Sequence, residues 1–157
     1  MDVYKRLEEL KITLPEPASK GGVYSQVVFF GEKFCYCSGC GPILNDESKN
    51  NNVIGKIGGD LSIEDGKKAA YNCMLNILAI LDKELKDLNK IKKFVKVLAF
   101  VNSTDDFSEQ PKIVNEASNL LVDIFGEEIG LSARSAIGTN SLPGKISCEI
   151  ELLLEIK

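Results

Sequence analysis

Arg134 and Glu149 are the residues whose chemistry and spacing stand out in this 157-residue chain. A guanidinium is a planar fork that binds a carboxylate bidentately and stays charged at any working pH. A carboxylate can orient or deprotonate a water lying within one hydrogen bond of it. The two lie fifteen positions apart within Leu131–Lys157, LSARSAIGTNSLPGKISCEIELLLEIK. That stretch reads as two strands joined by a loop of turn-forming types, Gly138, Asn140, Pro143 and Gly144. The second strand alternates, with Ile146, Cys148, Ile150, Leu152 and Leu154 on one face and Ser147, Glu149, Glu151 and Glu155 on the other. The spacing fits two adjacent antiparallel strands, which predicts Arg134 and Glu149 near the same end of a sheet. On the residues alone, the simpler account is a surface pair on a solvated face, and a buried ion pair is a second.

Other chemistries are narrowed by what the chain lacks and by what it has in number. There is no histidine. Ser-His-Asp and Cys-His nucleophiles, His-based zinc and histidine acid–base ribonuclease mechanisms are therefore excluded. The five cysteines are Cys35, Cys37, Cys40, Cys73 and Cys148. Cys35-x-Cys37-x-x-Cys40 is a possible thiolate cluster, but its first two members sit in an alternating strand with no second paired motif. Buried, reduced structural thiols are the better reading, and no metal site is expected. A net charge of −4 gives no basic footprint for nucleic acid. No apolar run approaches a membrane span and Met1–Leu10 is too charged for a signal peptide, which points to the cytoplasm. The length and even composition predict one domain over 1–157.

The elements that must position these residues can be read in order. Val3–Lys11 is a short amphipathic helix, broken by Pro15 and Pro17. Val23–Phe30 and Lys33–Ser38 form a hairpin around Gly31-Glu32, and Ser38–Pro42 is a tight small-residue turn that lets a ligand approach the backbone. Leu44–Gly59 is a polar loop with a mobile tip at Asn50-Asn51-Asn52, and its glycines make no phosphate loop. Ser62-x-x-Asp65 starts a helix running to about Leu85, with Ala70, Met74, Ile77, Leu78, Leu81 and Leu85 as its core stripe. Ile91–Asn102 is a strand of the sheet interior. Gln110–Phe125 is a second helix, with Ile113, Ala117, Leu120, Leu121 and Ile124 buried and Gly126 as its C-cap. The order β-β-α-β-α-β predicts an α+β fold, one mixed sheet with two helices on one face. Leu153, Val28 and Phe30 are apolar on the face that their neighbours leave polar, which predicts a partner subunit there.

Three motifs carry a resemblance. Ala133-Arg134-Ser135-x-Ile137, then Leu142-Pro143 and Glu149-Ile150-Glu151, joins Val23-Tyr24-Ser25-Gln26 and Ser38-Gly39-x-Gly41-Pro42. Together they resemble the Rid family of reactive intermediate deaminases, also called YjgF-like and once labelled endoribonuclease L-PSP. The likeness runs from about Gly22 to the C-terminus, so residues 1–20 look like an N-terminal extension of a longer branch.

The resemblance implies a chorismate-mutase-like fold, packed as homotrimers with clefts between subunits. It implies hydrolysis of small enamines and imines, such as 2-aminoacrylate and 2-iminobutanoate, to 2-oxo acids and ammonia, with no cofactor. Carried onto this sequence, Arg134 would clamp the substrate carboxylate and Glu149 would activate water. Tyr24 would line the pocket from the neighbouring subunit, Ser38 and Gly39 would form its floor, and the Ala136 backbone would add a hydrogen bond. Ala136 stands where many members have Cys, and Cys40 where Gln is common. A carboxylate-binding or regulatory trimer without turnover is the alternative, and a ribonuclease is disfavoured by the acidic charge and missing histidine.

Overall fold

The computed structural model describes residues 2–157. Helix α1 spans Val3–Glu9 and is capped by the Asp2 side chain, which accepts from the Lys5 backbone N–H. Strands β1 (Val27–Phe30) and β2 (Phe34–Cys40) form a hairpin. Its loop holds three residues rather than the expected two, because Phe30 pairs with Phe34. The strand also starts four residues later than expected, which leaves Tyr24 in the segment before it.

Helix α2 (Ile63–Leu85) opens on a complete capping box, with the Ser62 side chain accepting from the Asp65 N–H while the Asp65 carboxylate accepts from Ser62. Such a cap is worth about 0.5–2 kcal/mol. Strand β3 covers Ile91–Asn102, as its apolar run predicts. Helix α3 runs Gln110–Gly130, longer than expected, but Gly126 at φ 76° breaks its helical backbone where a C-cap was foreseen. Strands β4 (Ala133–Thr139) and β5 (Cys148–Ile156) complete the chain.

The sheet order is β1-β2-β5-β3-β4. β3 and β4 are parallel, and β5 is antiparallel to both β2 and β3. This corrects one expectation directly: the strands carrying Arg134 and Glu149 are not neighbours, because β3 lies between them. The chain returns from β4 over a long loop and inserts its last strand into the gap between β2 and β3. β5 can take that central place because Cys148, Ile150, Leu152 and Leu154 are all fully buried against the helices.

Helices α2 and α3 cover one face. The edge-to-face pair Phe94–Phe125, with ring centroids 4.9 Å apart, ties β3 to α3. The Leu44–Gly59 loop is less free than its polarity implies. Val53 and Ile57 are buried, Ile54 bridges Ile146, and Ile57 bridges Ser103. All five thiols are free, and all but Cys40 are buried. Among the described residues no helix is long and apolar enough to cross a membrane.

Candidate functional site

Register decides where each predicted residue points. Val97 pairs with Arg134 on one side and Leu152 on the other, so all three side chains share the helix-covered face. The Arg134 guanidinium donates to Asn115 Oδ1 at 2.8 Å and Ser118 Oγ at 3.2 Å, both on α3. Both partners are neutral. Phe100, three positions further on, pairs with Glu149 and Ile137, and these three lie on the open face. Arg134 and Glu149 therefore occupy opposite faces, with backbones roughly 14 Å apart by ordinary strand spacings. Ala136 pairs with Ala99 and packs against the buried core beneath the helices.

Glu149 has a close neighbour of another kind. Between Cys37 and Cys40 the β2–β5 register slips by a bulge. The expected tight turn over Ser38–Pro42 is thus a bulged strand end. A Cβ added at Gly39 would collide with the Glu149 carboxylate, so a larger residue there would force that side chain to move. Burial first, and the charge of Glu151 second, raise the Glu149 carboxyl above its ordinary value. Glu151 in turn accepts from the Tyr36 hydroxyl at 2.5 Å, which pushes the Tyr36 pKa up to about 12. Glu149 has no cationic partner among the described residues.

Behind the bulge lies a cavity of about 220 Å³, lined in part by Tyr24, Gly39 and Cys40. Two of the sequence-predicted residues, Tyr24 and Gly39, thus meet within one chain. Ser38 is just outside. Its hydroxyl donates to the Ser25 carbonyl at 2.6 Å and its N–H to that of Gln26, tying down the segment that carries Tyr24. Burial pushes the Cys40 thiol up to about 12, with Glu149 adding to the shift, so it is a neutral wall and not a nucleophile.

The back wall was missed from sequence. Asn76, on α2, donates through Nδ2 to the carbonyls of Gly41 at 3.0 Å and Ile43 at 2.8 Å. Its Oδ1 is buried and unpaired, which costs about 1–3 kcal/mol when no donor arrives. The signal was present: Asn72 and Asn76 are four apart inside an apolar helical stripe, where amides are placed to hold something. Asn72 likewise donates to the Pro42 carbonyl.

Comparison with known proteins now bears on the whole chain. A family model described as "YjgF/chorismate_mutase-like, putative endoribonuclease" matches residues 5–156. The chain belongs to the Rid, or YjgF-like, family. Proteins of this family are commonly oligomeric and bind small molecules. A Trypanosoma cruzi relative, Protein TCP17, is 34% identical over 98% of this chain and 94% of its own. The solved structure of Atu1372 from Agrobacterium tumefaciens, a protein of unknown function, is 36% identical at a TM-score of 0.86. It covers 99% of this chain and 92% of its own. An endoribonuclease-labelled structure from Shewanella oneidensis is 28% identical at a TM-score of 0.90, over 99% of this chain and 100% of its own. The α+β fold of a mixed sheet backed by helices is that of the family.

Proposed function

We propose that this Rid-family chain hydrolyses small 2-imino acids, and the enamines in equilibrium with them, to 2-oxo acids and ammonia at a cleft between subunits of a homotrimer. The observation that carries the reading is Glu149: a half-buried carboxyl with a raised pKa and no cationic partner, set against a glycine that leaves space for it. A carboxyl raised towards working pH is a better general base than an ordinary one. In the reaction Glu149 takes a proton from water as the water oxygen bonds to the imine carbon. The C=N electron pair of the protonated imine moves to its nitrogen, giving a carbinolamine, and Glu149 returns its proton to that nitrogen. As the C–N bond breaks, the hydroxyl passes its proton to the Glu149 carboxylate and becomes the 2-oxo acid carbonyl, and ammonia leaves. Water supplies the oxygen, so no redox partner enters.

Arg134 is assigned to the substrate carboxylate. Because it lies on the face opposite Glu149, one chain does not bring clamp and base together, and a neighbouring subunit is needed to complete the cleft. The same separation favours a second reading: a trimer that binds 2-oxo acids at Arg134 without turnover. Cleavage of RNA is opposed by the net charge of −4 and the absence of histidine.

The deciding measurement is ammonia release from freshly generated 2-aminoacrylate. The parent protein accelerates it, and Glu149→Gln loses about a hundredfold or more while keeping its size and its 2-oxo acid binding. Equal rates in parent and variant would remove Glu149 from the mechanism. Binding without acceleration in the parent would establish the second reading.

A further inference from the structure

The chain leaves β2 through Gly41–Leu44, a segment with no strand partner among the described residues, since the β2 ladder ends at Cys40 opposite Ile150. Its four carbonyls are nevertheless all bonded, each by an asparagine side chain. Asn76 Nδ2 donates to Gly41 at 3.0 Å and to Ile43 at 2.8 Å. Asn72 Nδ2 donates to Pro42 at 3.3 Å and to Lys49 at 3.5 Å. Asn50 Nδ2 donates to Leu44 at 2.6 Å, and its Oδ1 accepts from the Leu44 N–H at 2.8 Å. Asn72 and Asn76 are buried and lie one turn apart on α2, so both amides face the segment. The orientation of Asn76 leaves its Oδ1 buried and unpaired. Turning the amide over would set that oxygen against two carbonyl oxygens, so its two N–H groups fix the choice. What the segment anchors is the bulge. Gly39, two positions before Gly41, lies against the Glu149 carboxylate. On the near side Ser38 is tied through its N–H to the Gln26 carbonyl at 2.9 Å. Gly39 is thus held between two anchored neighbours.

We propose that Asn76 is a positioning residue for Glu149: its clip on Gly41 and Ile43 keeps the β2 bulge against the Glu149 carboxylate and limits the water that reaches it. The inference rests on the hydrolase reading above. Phe100 of β3 pairs with Glu149 and Ile137 of β4 lies beyond it, and neither side chain titrates. The titratable groups that act on Glu149 or feel its charge are Glu151 on its own strand, Cys40 of β2 and Cys73 of α2, and none of them is a cation. Tyr36 of β2 donates to Glu151 instead. Lys96, on the same face of β3, donates to Ser135 Oγ at 2.7 Å. Water is therefore the neighbour from which the ionised carboxylate gains most, and the bulge governs its access. Releasing the bulge eases ionisation, which makes Glu149 a weaker base and frees it from its fixed position.

The test follows the Glu149 carboxyl directly, by NMR titration of carbon-13-labelled glutamate side chains, with the signal assigned through Glu149→Gln. In the parent it titrates above 4.5. Asn76→Leu, close in size but without donors, is expected to bring that titration down towards the ordinary value. The acid limb of the kcat–pH profile moves with it. Imine turnover falls about tenfold or more in kcat, with KM changed far less. Asn76→Gln keeps the amide, has the adjoining cavity of about 220 Å³ for its extra methylene, and recovers part of both losses. Asn72→Ala releases only the longer bonds and gives a smaller shift of the same sign, which remains readable if Asn76→Leu does not fold. Leu81→Ala, at a fully buried position of the same helix, lowers the melting temperature and leaves the Glu149 titration in place. An unmoved titration in Asn76→Leu and Asn72→Ala, or an equal shift in Leu81→Ala, overturns the proposal. If the parent accelerates no imine, the hydrolase reading fails. The titrations alone then decide the clip: a fall in Asn76→Leu supports it and an unmoved value removes it.

Discussion

The two faces of the sheet are built from the same five strands and do opposite things. The helix-covered face is dry and continuous: Cys35, Cys37, Val97, Ala99, Ile150, Leu152 and Leu154 are buried together against α2 and α3. The open face is mixed. Val28 and Phe30 are about half exposed at 51% and 48%, beside Tyr36 and Ile137 and the acidic pair Glu149 and Glu151. An apolar surface interleaved with carboxylates is not how a solvated face is made, and it fits a face covered by another subunit. The covered face supplies stability and has taken in Arg134, whereas Glu149, the proposed base, lies on the open face.

The largest expected loss comes from the covered face. Phe94 is fully buried and stacks edge-on with Phe125. Phe94→Ala is expected to cost about 3–5 kcal/mol of unfolding free energy, measured by denaturant titration. A cost below about 1 kcal/mol would mean this face is not the core. From the open side, replacing Val28 and Phe30 together by lysine leaves each chain folded but abolishes assembly. Light scattering should show the parent as a trimer and the double variant as a monomer. A monomeric parent would sink both the interface and the shared cleft.

The smallest effect is electrostatic. Glu149 titrates above its ordinary 4.5 in the folded chain, with burial as the main cause. The folded state therefore holds that proton more tightly than the unfolded state. The resulting stabilisation is full at low pH and is lost as pH rises through the raised value. Glu149→Gln removes this titration. The stability of the parent relative to the variant should decline modestly as pH rises from about 4 to about 8, since the carboxyl remains partly exposed. A difference that grows with pH would show that Glu149 is held as the anion by a favourable partner.

Much of this was legible in the sequence. The core stripe of α2, the Ser62–Asp65 cap and the extent of β3 are local patterns. Period, capping chemistry and β-branched runs act between residues close in the chain, so they survive without tertiary information. Alternation in β5 likewise separated Glu149 from Ile150, and the apolar Val28, Phe30 and Leu153 on a polar face were visible as misfits. What could not be read was which strands become neighbours. Fifteen residues between Arg134 and Glu149 suit a hairpin equally well as a return that skips over β3, because loop closure discriminates weakly between them. The choice fell to the tertiary structure. Only insertion between β2 and β3 buries the whole apolar face of β5, and that insertion sets Arg134 and Glu149 on opposite sides of the sheet. The cavity has the same origin. Ala18 and Tyr24, Gly39, and Asn76 come from three separate stretches, and only packing of the segment before β1 against the β2 bulge and α2 brings them together.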